Sequence, residues 1–74
     1  MLTRWFLVVR SSDQWWVDCE GKSFGPFENA EEATTSAIRY AEVFTDMKRQ
    51  SQVWAPDTTG RMVQVWTGRL QPSQ

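Results

Sequence analysis

Histidine is absent from these 74 residues, and cysteine occurs once, at Cys19. The commonest general base and a frequent metal ligand are therefore missing, and most nucleophile, general-base and zinc constellations cannot be assembled. No Gly-rich phosphate loop stands in for them. A single thiol also excludes an intrachain disulfide, so a reducing cytoplasm is the expected location. Long apolar runs are lacking too. Trp5-Phe6-Leu7-Val8-Val9 lies between Arg4 and Arg10 and is too short for a secretory core or a membrane span. Neither charge sign dominates: eight Lys and Arg against nine Asp and Glu give a net charge of −1. A dominant sequence-independent attraction to nucleic acid or anionic lipid is not expected. These absences predict a protein that is not an enzyme and has no cofactor, no metal site and no membrane association.

Aromatic rings are what the chain has in quantity, with five Trp, four Phe and one Tyr. So short a chain buries only about 60 to 65% of the surface it exposes when unfolded, and each large ring buries about 150 to 250 Å². The rings must either compensate for a thin core or mark an interface. Asn29 to Gln50 is the one stretch long enough for a substantial helix. Ala30, Ala33, Ala37, Ala41 and Phe44 share a face, bordered by Tyr40 and Met47, with Glu31, Thr35, Arg39, Glu42 and Asp46 opposite. Asn29 is the N-cap, Glu31 and Glu32 suit the positive end of the dipole, and Lys48 and Arg49 the other. This spacing predicts a helix that stops near Arg49.

Strands are expected on both sides. The first is Trp5 to Val9, apolar on both parities, which predicts a central strand covered on both faces. Gln14 to Glu20 alternates, with Trp15, Val17 and Cys19 on one side and Trp16, Asp18 and Glu20 on the other. Gly21 turns the chain into Ser23 to Phe27, where Pro26 predicts an edge or a bend. Ser51 to Ala55 follows the helix, then a Pro56 to Gly60 loop, then Arg61 to Thr67, with Val63 and Val65 against Met62, Gln64 and Trp66. The expectation is one α+β domain over 1–70 with a frayed tail at 71–74. Its antiparallel sheet follows the order β-β-β-α-β-β, with one amphipathic helix packed across one face.

A single helix covers one face of a sheet. If Val17, Val53 and Val65 meet it, Trp16, Trp54 and Trp66 point away. They are joined by one parity of the first strand, either Phe6 and Val8 or Trp5 and Leu7. The candidate interaction face is thus Trp16, Trp54, Trp66, Phe6, Val8 and Met62. Patches of this size are rarely left in water on a monomer, so a homodimer or a protein partner is expected to cover it. The bland alternative is that these Trp are ordinary core or scattered surface residues, since a slip of one residue reverses a whole strand. Single-stranded nucleic acid is a further alternative, with Trp16, Trp54 and Trp66 stacking bases beside Arg4, Arg10, Arg61 and Arg69. Asp18 and Glu20 share a predicted face, but a solvated strand edge explains them better than acid–base chemistry.

Two resemblances attach to particular residues. Trp15-Trp16-Val17-Asp18, Gly21 and Gly25-Pro26-Phe27 resemble the opening of GYF-type adaptor domains, which implies an aromatic surface for proline-rich peptides. The Gly-Tyr-Phe that names those domains is missing after the helix, where Val43-Phe44 stands. Over most of its length the chain is similar to a family of short uncharacterised bacterial domains of unknown function. Trp15-Trp16-Val17, Gly21, Phe27, Glu31-Glu32-Ala33, Ala37, Ala41 and Gly60 carry that likeness. It implies the same order of elements and no activity, and Trp54 and Trp66 are heavier than it leads one to expect.

Overall fold

Two tight reversals make the first half of the chain a meander. Strand β1 (Leu2–Ser11) turns at Ser12 and Asp13 into β2 (Gln14–Cys19), which turns at Glu20 and Gly21 into β3 (Lys22–Phe27). All four turn residues have positive φ, 54° and 63° in the first turn and 50° and 81° in the second. That is the hairpin geometry whose twist matches the flanking strands. The chain continues through α1 (Ala30–Phe44), β4 (Arg49–Pro56) and β5 (Met62–Gly68). This computed structural model describes residues 2–45 and 49–68. The expectations for Asp46, Met47, Lys48, Arg69 and the tail at 71–74 lie outside the described residues.

Among the described residues the elements follow one another as expected, one helix among five strands. The sheet is not purely antiparallel, however. Across it the strands run β3-β2-β1-β4-β5, and β1 and β4 pair in parallel, Leu7 opposite Trp54. Two hairpin reversals make β3 run the same way as β1, and α1 then carries the chain back to the end where β1 begins. The strand after the helix must run with β1. Central placement of β1 and the edge position of β3 agree with the pattern, and β3 is irregular where Gly25 and Pro26 are accommodated opposite Trp16.

The alanine stripe is the seat of the helix. Ala33, Ala37 and Ala41 are buried, and Phe44 closes the stripe against Phe6, Val8, Val17, Cys19, Val53 and Ala55. Methyl-sized side chains let the helix axis approach the sheet. The branched chains beneath, Val8, Val17 and Val53, are fully buried, each worth about 1.5 to 3 kcal/mol. Asn29 caps the helix as expected, its Oδ1 accepting from Glu32 N at 2.8 Å. The far end comes earlier than the periodicity implies. Thr45 is extended, with φ −71° and ψ 128°, and its N–H donates to Ala41 O at 3.0 Å. Thr45 Oγ1 and Ser51 Oγ lie 2.8 and 3.0 Å from the same oxygen and 2.9 Å apart. Two hydroxyls, one from the next strand, stop the helix at Phe44, and Arg49 belongs to β4 rather than to the helix end.

Parity in the sheet is corrected in two strands, β1 and β5. Phe6 and Val8, expected on the uncovered face, are 4% and 0% exposed beneath α1. Trp5 and Leu7 take the other side, so β1 is covered on one face only. Trp66 also packs against the core. Its partner is Val53, whereas Trp54 pairs with Gln64, which leaves Val65 as an extra residue in a β-bulge. The bulge turns Trp66 to the helix side and leaves Val65 43% exposed. Among the described residues no helix is long and apolar enough to cross a membrane.

Candidate functional site: the uncovered sheet face

Each strand contributes alternate residues to the side that α1 does not cover. With Val17 and Cys19 buried, β2 presents Trp16 and Asp18. With Phe6 and Val8 buried, β1 presents Trp5, Leu7 and Val9. With Ser51, Val53 and Ala55 buried, β4 presents Gln52 and Trp54. Register places Trp5 opposite Gln52 and Leu7 opposite Trp54, so Trp5 and Trp54 are diagonal neighbours, within about 7 to 8 Å for large side chains. Together with Met62 they line a shallow depression of about 320 Å³. Trp5 is 58% exposed.

Two of the indoles are held in place. Trp54 Nε1 donates to Gln52 Oε1 at 3.0 Å, which lays the ring back along its own strand. Trp16 Nε1 donates to Ser11 O at 3.3 Å, and the ring rests on Gly25, where a Cβ would come within 3.2 Å of its Cε3. Trp16 shares the face but not the depression. It borders a separate hollow of about 270 Å³ with Val9, Ser11, Ser12, Asp18 and Ser23. Of the six residues expected on the face, Trp16, Trp54 and Met62 are there and Phe6, Val8 and Trp66 are not. Trp5 and Leu7 carry the patch instead. The sequence signal for them was the second apolar parity of β1, which alternation could not rank against the first.

Asp18 is on this face, whereas Arg4 and Arg10 are not. Arg4 is on the helix side, its guanidinium 3.9 Å from the Phe44 ring centroid and 3.2 Å from Glu20 Oε1. Arg10, also on that parity, meets Asp13 at 3.3 Å. Asp18 accepts from Ser23 Oγ at 2.6 Å, so Asp18 and Glu20 have separate partners and form no acid–base pair. Burial pushes the Cys19 thiol pKa up, against the opposing charge of Arg4, and so disfavours the thiolate. Asp57 is held below the usual carboxylate range, first by the Thr59 hydroxyl at 2.6 Å and then by Thr59 N–H at 2.8 Å. Those bonds build the loop between β4 and β5. No group of three metal-ligating side chains occurs among the described residues.

The face is therefore apolar and aromatic at its centre around the Gln52 amide, carries the Asp18 carboxylate toward β3, and is without a cation among the residues named on it. What it can do chemically is bury surface. No family model matches this chain, and no curated protein or solved structure matches it significantly.

Proposed function

We propose that the chain is a non-enzymatic interaction domain that self-associates through the uncovered sheet face, two copies burying Trp5, Leu7, Trp54 and Met62 against each other. The observation that carries this reading is the exposed Trp5 beside a depression lined by Leu7, Trp54 and Met62. A two-fold contact needs a patch complementary to itself. A neutral apolar centre meets that need without like-charge repulsion, and the pinned Trp54 ring loses little rotamer freedom on contact. Base stacking has less support. Arg4 and Arg10, which would neutralise phosphate, sit on the helix-side parity with acidic partners.

Sedimentation equilibrium tests the proposal. The wild-type chain should give twice the monomer mass at micromolar concentration, and Leu7→Lys should give the monomer mass with an unchanged circular dichroism spectrum. A wild-type monomer mass up to about 1 mM, where association is worth only about 4 kcal/mol, would remove the basis for it.

A further inference from the structure

The two parallel strands part company at their carboxyl ends. Their ladder ends at Leu7 opposite Trp54, although β1 continues to Ser11 and β4 to Pro56. Beyond that point Val8 to Ser11 stay paired with β2, and Ala55 and Pro56 stay paired with β5. The cause is topological. β1 turns off toward β2 on one side and β4 toward β5 on the other, so the chain leaves the two neighbouring strands in opposite directions. Divergence of this kind opens a crevice outside the carboxyl ends of the strands, the usual ligand position in open sheets with parallel strands.

An open cleft of about 740 Å³ occupies that place, within the range of about 300 to 1,000 Å³ usual for small-molecule sites. Val9, Trp15 and Pro56 supply apolar walls, Val8 lies buried behind them, and Arg10 borders the opening. Successive strand residues direct N–H and C=O to alternate sides. At least one of Val8, Val9 and Arg10 therefore turns its backbone pair toward the gap, where β4 no longer answers it. Arg10 is the cation of the lining, and its contact with Asp13 is an exposed one that an incoming anion can replace. Asp57, the acid of the lining, accepts at Oδ1 from Thr59 N, Thr59 Oγ1 and Arg61 N, which ties it to its own loop.

We propose that this crevice binds a small aromatic carboxylate, the ring against Val9, Trp15 and Pro56 and the carboxylate on Arg10. The site is at the end of the sheet and does not depend on self-association through its face, although Met62 borders both hollows. Titrating 2-naphthoate into the isotope-labelled chain, followed by amide chemical shifts, tests it. Saturable shifts should centre on Val8 to Arg10, Trp15 and Pro56 to Gly60. Arg10→Gln should weaken binding about ten-fold, as loss of a charge-assisted bond does, and Arg10→Lys should retain most of it. The uncharged isostere 2-naphthamide should bind the wild-type chain no better than naphthoate binds Arg10→Gln, which gives a reading independent of any variant. Shifts centred on Trp5, Leu7 and Trp54, equal binding of acid and amide, or no saturation up to about 5 mM would each overturn the proposal.

Discussion

Gly68 shows how much one missing side chain can decide. A Cβ at this position would clash with the benzo edge of the Trp66 indole, so that edge lies over the glycine on the helix side of β5. Gly68→Ala must push the ring off the core, and a destabilisation of about 1 to 3 kcal/mol is expected, as for other overpacked sites. Urea unfolding measures the loss, and a red shift of the native emission would report the displaced ring. Asp57 gives a prediction in pH. Its folded pKa lies below that of the unfolded chain, so its contribution to stability is fully present above the unfolded value of about 3.9 and is lost as pH falls through the folded value. The stability difference between wild type and Asp57→Asn should therefore shrink as pH is lowered from 5 to about 2. A difference that grows over that interval would contradict the sign.

Among elements, the end of α1 is the informative one. Ala41 O, in its last turn, is served by Thr45 and by Ser51, a residue of β4. Ser51→Ala should cost about 1 kcal/mol, and the double variant with Thr45→Val should fall short of or exceed the sum of the singles, because the two hydroxyls share an acceptor. Perfect additivity in denaturant titrations would mean that the triangle is not a coupled unit. At the other end Asn29→Ala should cost about 1 kcal/mol through the lost bond to Glu32 N. The two ends differ in what sequence alone reveals. Asn29 with Glu31 and Glu32 is a local signal, readable in four residues. The stop at Phe44 depends on a serine that becomes a neighbour only after β4 docks, so periodicity carried the expected helix too far.

For the molecule as a whole, the proposed self-association has a thermodynamic signature. If folding and pairing are coupled, the urea midpoint should rise with protein concentration in the wild type. It should be independent of concentration in Trp5→Gln, whose monomer should keep its stability within about 0.5 kcal/mol because the ring is largely exposed. A concentration-independent wild-type midpoint would show that the face contributes nothing to an assembly. The helix has width enough for one side of a five-stranded sheet, and the side it leaves open carries the rings.

Local chemistry in the chain already determined the elements: the turn at Gly21, the Pro56 to Gly60 loop, the capped alanine-striped helix, the edge strand with Pro26, and the abundance of large rings. Cooperative packing decided the rest. Alternation assigns residues to two sides of a strand but cannot say which side meets the helix when both are apolar, as in Phe6 and Val8 against Trp5 and Leu7. Nor does it survive a bulge, where one extra residue at Val65 carried Trp66 across the sheet. The parallel pairing of β1 with β4 and the crevice beyond it follow from the path of the chain in space, which joins residues more than forty positions apart and leaves no mark on the spacing of either strand.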